Sequence, residues 1–183
     1  MATDPLIAPL PPDEWDDEIR GVAGTSGRVL NIFGTLAHHP KLMKRWLVFG
    51  THVLAKSTLP ARDRELLILR AGWRCRSPYE WGQHVAIART SGVTDEEIER
   101  VAAGPDAGGW DPFDALLVRA ADELHDDACL TEATYHAIAA RYDEQQMLDL
   151  VFTVGQYHLV SMVLNTFRVQ RDDGVSGVPI PDR

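Results

Sequence analysis

The sequence predicts an all-α protein, a single domain of about seven or eight helices. Three observations predict it. Apolar residues return every three or four positions through most of the chain. Helix start and stop residues (Ser, Thr, Asp, Pro and Gly) fall between these periodic segments. Alternation of β-branched and polar residues never lasts more than a few positions, so strands are not expected. The 183 residues divide into an N-terminal arm and short helix at 1–27, a helical domain at 28–171 and a tail at 172–183.

Residues 1–12 hold four prolines and read as an extended arm, of the kind that lies on a neighbouring subunit in an oligomer. Trp15 and Ile19, four apart, give residues 13–20 one apolar side, and three glycines make 21–27 a loop. Val29, Ile32, Phe33 and Leu36 mark one face of the next helix. His38-His39-Pro40 breaks it, because the residue before proline disfavours αR. In the helix that starts there, Leu42, Met43, Trp46, Leu47, Phe49 and Val53 fill most of the circumference. His38, His39 and His52 read as capping or packing residues.

Pro60 starts a helix whose Leu66, Leu67, Leu69 and Ala71 make it apolar on nearly all sides, the pattern of a buried helix. Glu65 and Arg70 then need partners, since an unpaired buried charge is very costly. Ser77-Pro78 opens the following helix and Gly92 ends it. Thr94 and Glu97 form a capping box for a helix that turns Ile98 and Val101 inward. Residues 103–112 are rich in glycine and proline and form a loop pinned by Trp110 and Phe113, the best candidate for a mobile or substrate-facing segment.

Residues 114–128 are amphipathic, with Leu116, Leu117, Ala120, Ala121 and Leu124 inward and Arg119, Asp122, Glu123 and Asp126 outward. Thr131 starts a short helix through Tyr142. Asp143 or Glu144 caps the last and most apolar helix, which runs to about Arg168 and is interrupted by Gln156, His158, Ser161 and Asn165. The net charge of −9 argues against a nucleic-acid surface, which needs clustered Lys and Arg. No apolar run approaches the ~20 residues that span a bilayer, and no basic n-region precedes an apolar core, so neither a membrane span nor a secretory signal is expected. Cys75 and Cys129 form no CxxC pair, which makes a reducing cytoplasm the expected compartment.

The chemistry concentrates at residues 64–89. Glu80 and His84 are four apart, one turn from each other on one helix face, and Glu65 meets them if the two helices fold back as a hairpin. Two readings of Ser77-Pro78-Tyr79-Glu80 stand side by side. In the structural one, Ser77 and Glu80 close a capping box. In the functional one, His84, with an ordinary pKa near ~6.5, passes a proton at a helix start whose free N–H groups favour anions. No HExxH and no repeated ExxH pair is present, so no metal and no cofactor is expected.

The stretch ELLILRAGWRCRSPYEWGQHVAIAR, continued by GVTDEEIERVAAGPDA, FDALLVRAADELHDDA and LVFTVGQYHLVSMVLNTF, resembles the carboxymuconolactone decarboxylase family within the alkyl hydroperoxidase D (AhpD)-like superfamily. The resemblance covers roughly residues 30–170. The thiol-active branch carries a glutamate, eleven residues, a CxxC pair, three residues and a histidine. Glu65, Ser77, Glu80 and His84 keep that frame with both cysteines replaced, and no thiolate pair for peroxide reduction is left. The decarboxylase branch also lacks the pair and removes CO₂ from a lactone acid in aromatic-compound degradation.

The resemblance implies an AhpD-like helical bundle assembled as a dimer, trimer or hexamer, with pockets near subunit contacts. His84, Glu80 and Glu65 become the catalytic candidates, with Ser77, Tyr79, Trp81 and His158 as substrate-binding ones. His84 would donate a proton to a carbanion-like carbon, oriented by Glu65, on a small organic acid or lactone. The alternatives are a non-catalytic oligomeric scaffold that binds a small ligand, and an alkylhydroperoxidase-like antioxidant (peroxiredoxin-type) activity using Cys75 or Cys129.

Overall fold

The computed structural model describes residues 4–23 and 29–172. Among these, nine α-helices and one 3-10 turn (Pro12–Glu14) make up the regular structure, and there is no strand. The helices are α1 (Asp17–Ala23), α2 (Asn31–Leu36), α3 (Pro40–Ala55), α4 (Ala61–Arg74), α5 (Pro78–Thr90), α6 (Asp95–Ala103), α7 (Pro112–Asp126), α8 (Glu132–Ala139) and α9 (Glu144–Phe167). All-α is what the periodicity predicts. The count is nine against the expected seven or eight, and α1 continues through Gly21 into the stretch expected as a loop, of which residues 24–27 lie outside the described residues.

α4 is the axis of the fold, packed on α5, α6, α7 and α9. Leu66, Leu67, Ile68 and Leu69 are four consecutive residues with no exposed surface, as an all-round apolar helix requires. Each such side chain contributes about 1.5–3 kcal/mol on burial. Arg70 on the same helix finds its partner in Asp122 of α7, which accepts from Nε at 2.6 Å and Nη2 at 2.8 Å, and Nη1 donates to Val101 O. Arg62 forks onto Asp114 in the same way. Both α4–α7 contacts are therefore apolar in the middle and bidentate at the polar residues.

The caps are those the sequence predicts at three helix starts. Thr94 with Glu97 and Asp143 with Gln146 form capping boxes, and Thr131 accepts from Thr134 N. His39 caps α3 by accepting from Leu42 N, and His38 bonds Ala8 O, both structural roles. Residues 103–112 are tied down by contacts of their own. Trp110 Nε1 donates to Gly104 O, Arg100 lies over the Trp110 ring, and Gly104 adopts φ 113, which suits glycine.

Two expectations change. The arm lies on its own chain over residues 4–12, with Leu6 N donating to Phe167 O and Leu10 N to Gly34 O. A Cβ at Gly34 would come within 2.7 Å of Pro9, so the absence of a side chain lets the arm seat there. Second, α9 is long and apolar enough to cross a membrane by length and composition, because its interrupting residues are polar but uncharged. Half of that apolar window is buried against the rest of the chain.

Candidate active site

The α4–α5 hairpin closes through Arg76, whose φ of 49 reverses the chain, and through Ser77 N donating to Gly72 O at 3.0 Å. The reversal brings Glu65 of α4 against His84 of α5. Glu65 Oε2 lies 2.7 Å from His84 Nδ1, and Glu80 Oε1 lies 3.0 Å from His84 Nε2. All three residues are buried. Arg64 donates to the other oxygen of Glu65 from Nε and Nη2, each at 3.3 Å.

Burial by itself pushes the His84 imidazole down. The charge of Glu80 and the hydrogen bonds to Glu65 and Glu80 outweigh it, and His84 is pushed up to about 9. At neutral pH the ring is an imidazolium with a proton on each nitrogen, one for each carboxylate.

His84 and Glu80 open into a cavity of about 190 Å³ between α2, α3, α5 and α9. Its walls are largely apolar: Leu30, Ile32, Phe33, Trp46, Leu47, Leu54, Ile87 and Val160. The polar residues in the lining are Glu80, His84, Gln83, Gln156, Thr51 and the two tyrosines, Tyr79 and Tyr157. Tyr157 packs edge-on against His84, with ring centroids 4.7 Å apart. Burial, and then the charges of Glu80 and Glu65, push its phenol well above the usual range, so it stays neutral. Gln156 Oε1 is buried with no hydrogen-bond partner in the protein. A ligand N–H or O–H would satisfy it.

The structure brings Glu65, Glu80 and His84 together as the hairpin reading expects. It does not form the capping box at Ser77, whose hydroxyl makes no cap bond and is buried without a partner. Glu80 turns to His84 instead, because the imidazolium is the stronger partner. Tyr79 lines the cavity with its ring, while its hydroxyl donates to Asp172 and accepts from Ile32 N. Ser77 and Trp81 lie outside the cavity, Trp81 against Trp73 in the core. His158 also lies outside it, turned to His125 at 3.0 Å.

Gln156 is in the lining, as a polar break in an apolar helix suggests, and Asn165 is not; it donates to Cys75 O. The α3 wall and Tyr157 were hidden from sequence reading. The one signal is that α3 carries more apolar residues than a core-facing stripe needs, yet only Met43 and Val53 are buried.

The fold is that of the AhpD-like helical proteins. An AhpD-core, uncharacterized peroxidase-related protein from Ralstonia eutropha JMP134 superposes with a TM-score of 0.80 at 20% identity, over 93% of this chain and 95% of that one. An uncharacterized peroxidase-related protein from Silicibacter sp. TM1040 gives 0.82 at 15% identity, over 96% of each chain. The debrominase Bmp8 in complex with 2,3,4-tribromopyrrole gives 0.77 at 13% identity, over 94% and 95%. No curated protein matches the sequence. Residues 40–123, which contain Glu65, Ser77, Glu80 and His84, match the carboxymuconolactone decarboxylase family.

Proposed function

We propose that the protein is an acid–base enzyme acting on a small organic acid or lactone, with His84 as the proton donor. One observation carries this reading: a buried imidazolium held between two carboxylates at the polar end of an otherwise apolar cavity. Glu65 keeps Nδ1 protonated and the ring fixed, so the proton that can leave is the one on Nε2. In a decarboxylation, the electron pair of the breaking C–C bond stays on the substrate carbon. The Nε2 proton quenches it, CO₂ leaves, and solvent reprotonates the ring. Tyr157 and Gln156 would position a polar substituent, and the apolar walls exclude water from the carbanion.

The imidazolium also meets an electrostatic difficulty. A bare Glu80 would repel a substrate carboxylate, whereas Glu80 paired with His84 has its charge offset. The family match supports this class of chemistry without naming a carboxy-lyase, and no lining residue is a cysteine, which leaves thiol peroxidase chemistry without a nucleophile in the cavity. The test is CO₂ release or lactone loss from a panel of lactone acids. Turnover by the wild type that His84→Gln abolishes, with its circular dichroism intact, is the expected result; full activity in that variant contradicts it. No turnover of any member, with a tight binder found by thermal shift, would favour the non-catalytic scaffold.

The active form we propose is a homo-oligomer. Val48 and Phe49 on α3, and Leu148, Val151, Phe152, Leu159 and Met162 on α9, are exposed at helical spacing beside the cavity-lining Gly50, Thr51 and Gln156. A second copy of the chain covering this face would complete the cavity wall.

A further inference from the structure

A second polar cluster lies outside the cavity, where the ends of α4 and α7 meet the middle of α9. Cys75 is the C-cap of α4, His125 sits in the last turn of α7 and His158 lies on α9. Cys75 Sγ is 3.9 Å from His125 Nδ1, which is 3.0 Å from His158 Nε2, and the three atoms all lie within 4.8 Å of one another. All three residues are half-buried. We propose that Cys75, His125 and His158 bind a zinc(II) ion through Sγ, Nδ1 and Nε2.

The spacing is close to what the ion needs. Zinc bonds of about 2.0–2.1 Å to nitrogen and 2.3 Å to sulfur set tetrahedral edges of about 3.4 Å between nitrogens and 3.6 Å between nitrogen and sulfur. The 3.0 Å between the two nitrogens and the 3.9 Å between Sγ and Nδ1 lie on either side of these values, so shifts of a few tenths of an ångström bring those two edges to zinc geometry. The thiolate, two imidazoles and no carboxylate favour zinc over calcium or magnesium. The ring-to-ring hydrogen bond has one proton, which zinc displaces when both nitrogens ligate.

The surroundings hold the ligands in place. Asn165 Nδ2 donates to Cys75 O at 2.8 Å, fixing the cysteine backbone to α9. Arg74, a nearby cation, is held by Asp122 and Asp126 at 3.2 and 2.6 Å, which offsets its charge. Partial exposure leaves the fourth position to water, the arrangement of an open three-ligand site. The ion would clip α4 and α7 to α9.

The test uses the full chain, stripped with a chelator and titrated with cobalt(II) and zinc(II). One equivalent of cobalt should bind, giving thiolate-to-metal charge transfer and tetrahedral d–d bands that zinc bleaches. Cys75→Ser should lose the charge-transfer band. His158→Gln should weaken binding by more than the roughly 10–100-fold that loss of an outer-shell partner costs. Cys129→Ser should change neither. In the unmutated chain, one equivalent of zinc should slow alkylation of Cys75 and leave exposed Cys129 unchanged, read by peptide mass spectrometry. Absence of one-equivalent binding, a charge-transfer band that survives Cys75→Ser, or equal alkylation of Cys75 with and without zinc would overturn the proposal.

Discussion

Two histidine clusters share the same scaffold and have opposite chemistry. α4 contributes to both, with Glu65 in its first half and Cys75 at its end, and α9 backs both through the adjacent residues Tyr157 and His158. At the cavity, His84 has a carboxylate on each nitrogen and is pushed up to about 9 despite burial. At the other cluster, burial pushes both His125 and His158 down, with the charge of Arg74 acting in the same direction on each. Burial opposes the charged ring in both places. The partners decide the outcome, so one site stores a proton and the other offers lone pairs.

The comparison breaks most sharply at the proton. His84→Gln should cost roughly 10²–10⁴-fold in turnover, the usual worth of a positioned general acid, while cobalt binding at Cys75 persists. Loss of both together would mean that the clusters are not separate. Glu65→Leu comes next. Removing one partner of a buried ion pair should cost about 3–5 kcal/mol in chemical denaturation, since the buried Nδ1 proton loses its acceptor and Arg64 its partner while only Glu80 still faces the ring. A change under 1 kcal/mol, on that same scale, would mean His84 is neutral.

The pH dependence of stability sharpens the same point. The folded pKa of His84 lies above its unfolded value, so its contribution is fully present below about pH 6.5 and is lost as pH rises through about 9. Denaturation midpoints should therefore fall across that window, by an amount on the order of a few kcal/mol, and His84→Gln should flatten the fall. The smallest effect belongs to the frame around the cavity. Tyr79→Phe removes the bond to Asp172 and should cost about 1–3 kcal/mol in stability by the same measurement.

Sequence reading reached the hairpin and its triad because both depend on local rules. Four-residue spacing puts Glu80 under His84, and an apolar helix with one acidic residue demands a partner for Glu65. The capping box at Ser77 failed because His84, one turn away and charged through its contact with Glu65 of the neighbouring helix, competes for the same carboxylate. The arm was misplaced because proline content predicts an extended chain but says nothing of which surface it meets. Cys75, His125 and His158 come from three helices separated by 50 and 33 residues, and no local spacing connects them. The α3 wall of the cavity is likewise visible only once the helices are packed.

The protonation state of His84 is the claim on which the catalytic reading turns. Its most direct measurement is a pH titration of the ring carbons and nitrogens by NMR in the full chain, repeated in Glu80→Gln. The imidazolium should persist through neutrality and titrate near pH 9, falling markedly in the variant. A wild-type ring that titrates at or below about pH 6.5, or one unmoved by Glu80→Gln, would contradict it.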